Sequence, residues 1–291
     1  MKYDIVICTP TFNRSYTLTK LYNSLVEQTL KKFYWLVIDD GSTDNTKELI
    51  LSFQKEGKIH IEYLYQKNQG KHVALNLGIE TSNTEYFAIV DSDDYLLPNA
   101  IEKIDFAFNS IRNLEGFAGI SYNRGYSPTE LIGNTFTGDY IDATNIQRKK
   151  FNILGDKFEV FYTKILKENK FPVFEGEKFL PEIIVWTRIA AKGLKLRWYN
   201  EIIYIGEYLD DGLTKSNEKL IRNNPKGYAL RIKEQVALAN ITLKERLGYF
   251  SSYYYARKNN ENIINIAKEM DCSLFMLCLA IFSRKVLNTI R

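Results

Sequence analysis

The sequence predicts an α/β protein: a mostly parallel sheet flanked by helices, with a helical C-terminal appendage. Three observations carry this. Four short apolar runs alternate with helix-patterned segments between Tyr3 and Ile111. Each run ends in a polar or glycine-containing turn. From Ile221 onward the apolar spacing is helical throughout. Alternation of this kind builds βαβ units.

The elements follow in order. Tyr3 to Cys8, apolar and β-branched, reads as the first strand and is bounded by Thr9-Pro10-Thr11. Thr17 to Leu25 places Leu18, Leu21, Tyr22 and Leu25 at helical spacing. Phe33 to Ile38 is the second strand, ending in Asp39-Asp40-Gly41-Ser42-Thr43-Asp44, where Ser42 is a candidate cap for a helix from Asn45 to Phe53. Ile59 to Tyr65 is the third strand, followed by Lys67-Asn68-Gln69-Gly70 and a helix to about Ile79. Tyr86 to Val90 is the fourth, and Pro98 opens a helix to about Ile111. Gly116 to Ile141 reads as shorter strands joined by turns, Phe158 to Tyr162 and Leu196 to Tyr204 as further strands, and Ile183 to Ala191 as a helix begun at Pro181. The absence of a low-complexity linker predicts that the C-terminal helices dock on the main body.

A chain of 291 residues with 45% hydrophobic content has enough apolar mass for one large α/β domain and an appendage. The net charge of +4 is too small to point to nucleic acid. It is unevenly spread: from Lys219 to Arg291 stand 13 Lys and Arg against 5 Asp and Glu, so the tail carries +8 and the remainder −4. Three scattered cysteines, Cys8, Cys272 and Cys278, suit a reducing compartment rather than a disulfide framework. The N-terminal residues show no signal peptide, and Leu274 to Phe282 is too short to span a membrane. The expected location is therefore cytoplasmic, with the inner membrane face as a surface the basic tail could touch.

The chemistry gathers at strand ends. In an open α/β sheet ligands bind outside the carboxyl ends of the strands. Here those ends carry Thr9-Pro10-Thr11, Asp39-Asp40, Asn68-Gln69-Gly70 and Asp91-Ser92-Asp93-Asp94. Three carboxylates within four positions repel one another unless a cation sits among them. With no His or Cys nearby, a hard divalent ion, Mn²⁺ or Mg²⁺, suits better than zinc. A solvated acidic loop is the plainer alternative.

These motifs, in this order, resemble family-2 inverting glycosyltransferases of the GT-A, Rossmann-like fold. They are Thr9-Pro10-Thr11-Phe12-Asn13-Arg14, Val37 to Asp44, Asn68-Gln69-Gly70 with Asn76-Leu77-Gly78-Ile79, and Asp91-Ser92-Asp93-Asp94. The likeness covers about the first two-thirds of the chain. Phe174 to Glu182 is similar to the branch acting in bacterial surface polysaccharide synthesis. The resemblance implies a catalytic domain over 1–220, with a nucleotide-binding half to about 112 and an acceptor half from about 113, and a helical region over 221–291. It implies transfer of a sugar from a nucleotide-diphosphate sugar, UDP-linked by preference, to the hydroxyl of a saccharide or lipid-linked saccharide, and no nucleic-acid partner. Two alternatives are a sugar-nucleotide pyrophosphorylase and a catalytically inactive nucleotide-sugar-binding protein. The first should carry a Gly-rich loop after strand one, and Thr9 to Arg14 contains no glycine.

The implied nucleotide-sugar site comprises Pro10, Thr11, Asn13, Arg14, Asp39, Asp40, Asn68, Gly70, Lys71, Asp91 and Ser92. Asp39 would accept from the base imide or the ribose hydroxyls, and Asp40 would do the same or orient the turn. Arg14 and the backbone around Thr11 suit anionic oxygens, Gly70 allows a close backbone approach, and Lys71 offers a phosphate counter-charge or is a solvated helix start. Asp93 is the implied metal ligand, with Asp91 facing ribose or metal. Glu182, at the start of a helix running on to Trp186 and Arg188, is the implied catalytic base, with Glu177 and Glu175 as rivals. Two departures stand out: Leu75 where many relatives have Arg, and Pro181 where many have Glu. His60 reads as a surface residue, and His72 either touches the nucleotide or caps a helix. Asp210 to Lys215 forms a loop over the donor or a plain surface turn. Leu274 to Phe282, followed by Arg284-Lys285, is either a membrane-interface segment or a docked core helix.

Overall fold

Ile5–Thr11 (β1), Phe33–Asp39 (β2), Ile61–Tyr65 (β3) and Tyr86–Ile89 (β4) pair in parallel in the order β3-β2-β1-β4. In register, Ile5 lies beside both Phe33 and Tyr86, and Thr11 beside Asp39. The strand ends therefore stay level and their turns share one edge. The structure is a computed structural model describing residues 3–206, 217–239 and 241–289. Every position of β1 and β2 is buried, because helices cover both faces. Ile5 and Ile7 enter one core with Leu18 and Leu21 of α1 (Ser15–Val26), Ile50 of α2 (Thr46–Glu56) and Ile101 of α4 (Ala100–Ile111). Val6 and Cys8 enter the other with Leu75 and Ile79 of α3 (Lys71–Thr81) and Ile184 of α6 (Ile183–Ala191). The alternation is the period of two that a pleated strand imposes.

After β3 the chain crosses back, and β4 joins the far side of β1. This reversal opens a crevice beyond the carboxyl ends of β1 and β4. From β4 on the sheet is mixed. β8 (Lys157–Tyr162) runs antiparallel to β4, β6 (Phe117–Gly125) antiparallel to β8, and β9 (Lys195–Ile205) parallel to β6. Two short strands, β5 (Tyr95–Leu96) and β7 (Tyr140–Ala143), lie antiparallel to β9. A 3-10 turn over Asn145–Phe151, capped by Thr144 and Gln147, and the short helix α5 (Thr163–Lys167) flank β8.

Two local expectations shift. Thr9-Pro10-Thr11 lies inside β1, not after it. β4 pairs with β1 only as far as Cys8, so Pro10 points to an edge where its missing N–H costs nothing. Ser42 does not cap α2: that helix starts at Thr46, too far on, and Asp44 Oδ1 accepts from Thr46 N at 3.1 Å instead. Asp44 Oδ2 accepts from Ser15 N at 3.1 Å as well, so one carboxylate serves the starts of two helices.

The C-terminal part is α7 (Asn217–Asn223), α8 (Pro225–Leu238), α9 (Leu243–Arg257), α10 (Ile263–Glu269) and α11 (Leu274–Thr289). Ile221, Tyr228, Phe250, Tyr253, Ile266 and Leu277 form their own core. The docking on α6 joins apolar and polar contacts: Leu230 packs on the core that holds Ile184, Arg188 forks onto Glu234, and Gln235 Nε2 donates to Thr187 Oγ1 at 2.7 Å. α11 buries Leu277 and Ala280 but leaves Phe275 76% and Phe282 65% exposed. Among the described residues no helix is long and apolar enough to cross a membrane. Asp210 to Lys215 lies outside the described residues.

Candidate active site

A crevice of about 1110 Å³ runs from the carboxyl ends of β1 and β4 across β8 to the C-terminal helices. Of the residues expected from sequence, Pro10, Thr11, Arg14, Asp40, Asn68, Gly70, Lys71, Asp91, Ser92, Asp93 and Glu182 line it. Asn13 and Asp39 do not. Asn13 takes a left-handed backbone at φ 52°; its N–H donates to Ser42 Oγ and its Oδ1 accepts from Thr43 N, tying two turns together. Asp39 is 1% exposed, accepting from Ser42 N at 2.7 Å and from Tyr63 Oη at 2.6 Å. Asp40 pins the turn before α3, with Gln69 N and Gly70 N donating to its two oxygens at 2.8 and 2.7 Å. Gly70 is required by the protein's own backbone: at φ 101° a Cβ there would stand 2.0 Å from the Lys178 carbonyl oxygen. Asn76 reinforces that contact by exchanging two hydrogen bonds with the Phe171 backbone.

At the centre, Lys71 Nζ lies 2.6 Å from Asp91 Oδ1 and 2.9 Å from Glu182 Oε1. The ammonium thus bridges the carboxylate that follows β4 and the residue that opens α6. Burial alone would lower the Lys71 pKa, but Asp91 and Glu182 outweigh it and hold the group charged. Burial likewise pushes Asp91 up, and Lys71 and Arg124 bring it below the ordinary carboxylate value. At Asp93, burial and then the charge of Asp91 outweigh the Arg14 and Lys71 charges and raise the pKa. Asp94 serves the loop: it is 4% exposed, pairs with Arg124, and accepts from Tyr204 Oη at 2.5 Å.

Among the described residues no three His, Cys, Asp or Glu side chains converge as a metal cage. Two neighbouring carboxylates, one raised by the other's charge, fit the Mg²⁺ or Mn²⁺ habit of one or two protein carboxylates completed by water and substrate phosphate. Buried acceptors also await a ligand. Thr11 Oγ1 and Asn68 Oδ1 are shut from water without a partner among the described residues, and both residues face the crevice.

The rival carboxylates part company. Glu177 is 7% exposed and accepts from Lys226 N and Gly227 N at 2.7 and 2.8 Å, holding the start of α8. Glu175 is exposed and does not line the crevice. His72 is buried, and burial lowers its pKa; His60 is exposed and stacks on Tyr3.

Sequence reasoning missed the far wall. Arg124 on β6, Arg148, and Lys157 and Glu159 on β8 all line the crevice. Burial raises Glu159 to about 7 and lowers Lys157 to about 8. The signal was present: in Lys157-Phe158-Glu159-Val160-Phe161 charged and apolar residues alternate, so the charges share one sheet face. Arg124, a charge inside an otherwise buried strand, is a second such signal.

A parallel half-sheet with a switch-point crevice, joined to a mixed half carrying a carboxylate cluster, defines the GT-A fold of nucleotide-sugar transferases. Residues 6–153 match the family model described as Glycosyl transferase family 2. The chain belongs to that family. It is 29% identical to Glycosyltransferase GlyA of Streptococcus pneumoniae over 234 residues, 79% of this chain and 31% of GlyA. It is 29% identical to the GalNAc(5)-diNAcBac-PP-undecaprenol beta-1,3-glucosyltransferase of Campylobacter jejuni over 194 residues, 65% of this chain and 59% of that protein. The chain thus spans about a third to three-fifths of the length of these relatives. Residues 1–349 of S. aureus TarS, in complex with UDP-GlcNAc, superpose with a TM-score of 0.64 at 16% identity, covering 90% of this chain and 74% of that one.

Proposed function

We propose that this protein is a metal-dependent, inverting glycosyltransferase that moves a sugar from a UDP-linked donor onto a hydroxyl of a lipid-linked or growing surface saccharide. The observation that carries the reading is the bridge at Lys71. Asp91 and Glu182 flank a gap one ammonium wide, at 2.6 and 2.9 Å from Nζ. That closeness supports a reading in which the leaving phosphate and the proton acceptor meet at one reacting carbon. Asp91 and Asp93 would hold the divalent ion, which supplies Lewis-acid stabilisation of the diphosphate. Arg14 and Lys71 add positive charge, and Thr11, Asp40, Asn68 and Gly70 shape the nucleotide wall, with Asn13 and Asp39 supporting it. Glu182 takes the acceptor hydroxyl proton as that oxygen bonds to the anomeric carbon. The bond from that carbon to the diphosphate oxygen breaks, and UDP leaves with the electron pair. A single in-line displacement inverts the configuration.

The UDP-GlcNAc complex of TarS supports a UDP-linked donor, and the name of the Campylobacter relative supports a lipid-linked acceptor. Residues 1–220 form the catalytic unit in this reading, with 221–291 as the helical appendage. Calorimetric titration of UDP tests it. Affinity is expected to be at least roughly tenfold higher with Mn²⁺ than with EDTA, and Asp93→Asn should remove the difference. Equal affinity under both conditions would sink the metal assignment.

A further inference from the structure

The crevice also reaches α8, where Tyr228 and Arg231 line it, and the segment before Glu182, where Lys178 does. Several arginines hold carboxylates, Arg124 with Asp94, Arg188 with Glu234, Arg197 with Asp142 and Arg257 with Glu269, while Arg246, like Arg231, has an orphaned Nε but does not line the crevice. Arg231 lines the crevice and has no carboxylate partner among the described residues. Among the described residues its guanidinium meets only two aromatic rings, Tyr228 at 5.9 Å and Tyr249 at 5.4 Å. Its Nε is shut from water with no acceptor. A guanidinium donor without a partner is costly, and a substrate oxygen arriving through the crevice would relieve that cost.

We infer that Arg231, seconded by Lys178, is a subsite for a phosphoester carried by the acceptor. The inference rests on the transferase reading above and adds the chemical class of the acceptor. Two aromatic contacts restrain the guanidinium, so less freedom is lost when its fork meets an anion. Phosphate fits that fork with two parallel charge-assisted bonds. Lys178 is exposed on the crevice and has no ion pair among the described residues, so a second positive charge faces that space. In the proposed reaction the donor diphosphate has other cations, Arg14 and Lys71, which also line the crevice. Two acceptor types share the required chemistry: an isoprenoid diphosphate and a polyol phosphodiester.

The test is calorimetry on the full chain with Mn²⁺ and saturating UDP, using farnesyl diphosphate and glycerophosphoglycerol as probes. At least one probe is expected to bind, and the one that binds identifies the source of the phosphoester. Arg231→Ala should weaken that probe roughly tenfold or more, Arg231→Lys less, with thermal melts of both variants matching wild type. Failure of both probes to bind, or equal binding by Arg231→Ala, overturns the subsite. Weaker binding of UDP by Arg231→Ala overturns it too, because the guanidinium would then serve the donor. Should wild type not bind UDP at all, the transferase reading falls, and the probes titrated without UDP still decide Arg231 by the same criterion.

Discussion

Glu182 stands 2.9 Å from the Lys71 ammonium at the edge of the crevice, while Glu177 accepts two backbone N–H groups at the start of α8. In the proposed reaction Glu182→Gln keeps size and removes basicity, so UDP affinity should hold while turnover with acceptor falls roughly 10²-fold or more. Glu177→Gln should instead lower the melting temperature, through loss of charge-assisted bonds worth about 1–3 kcal/mol. Steady-state kinetics with acceptor, alongside thermal melts, separate the two; near-normal turnover in Glu182→Gln removes it as base. Glu159 yields a pH prediction. Its folded pKa, about 7, lies above the ordinary 4.5, because burial disfavours the charge. The folded state therefore holds that proton more tightly than the unfolded chain. The stability it contributes is full below pH 4.5 and lost as pH rises through about 7. The loss is at most ~3 kcal/mol. Urea unfolding at pH 5 and pH 8 should show wild type losing stability relative to Glu159→Gln over that interval. A difference that does not change with pH would mean Glu159 titrates as an ordinary carboxyl.

Whether an element could be read locally depended on where its partners lay. β1, β2 and β4 are short apolar runs whose burial is repeated on both faces, so composition alone exposes them. β5 and β7 exist because β9 offers them an edge, and nothing local announces that. The 174–182 segment is similar: Asn224 Oδ1 accepts from Lys178 N and Phe179 N, so a helix far along the chain holds it. α11 makes a prediction of its own. It seats Leu277 and Ala280 against the tail core and turns Phe275 and Phe282 outward, with Arg284 and Lys285 following. An apolar face flanked by basic residues suits an anionic membrane surface. The full chain is expected to float with phosphatidylserine-containing liposomes at low salt, and Phe275→Ser with Phe282→Ser to abolish flotation without changing the melt. Recovery of wild type in the soluble fraction would assign that face to some other contact.

Over the whole molecule, the crevice is bounded by three separately packed cores, one on each face of the sheet and one in the tail. The tail core reaches the crevice through Tyr228 and Leu220, and α8 anchors the segment that carries Glu182. A chain ending at 220 would leave Leu180 and Ile184, now 4% and 1% exposed, without part of their cover. Such a truncation is expected to unfold at lower temperature and to lose UDP affinity. A truncated chain that melts and binds like the full one would show that the appendage is dispensable for the site.

The sequence by itself determined the parallel half of the sheet, the carboxylate cluster at its edge, the family and many of the residues that line the crevice. Those features depend on residues close in the chain, where strand periodicity and the turn after each strand are local properties. Tertiary structure decided which of those groups face the crevice. Asp39 and Asn13 sit in the motifs but spend their bonds on neighbouring turns. Glu177 and Glu182 look alike in sequence, and only the docking of α8 separates them. The far wall, with Arg124, Glu159 and Arg231, is brought to the crevice by pairings across the sheet and by the folding back of the tail. Contacts between residues so distant in sequence leave no periodic trace, because their spacing in the chain is unrelated to their spacing in space.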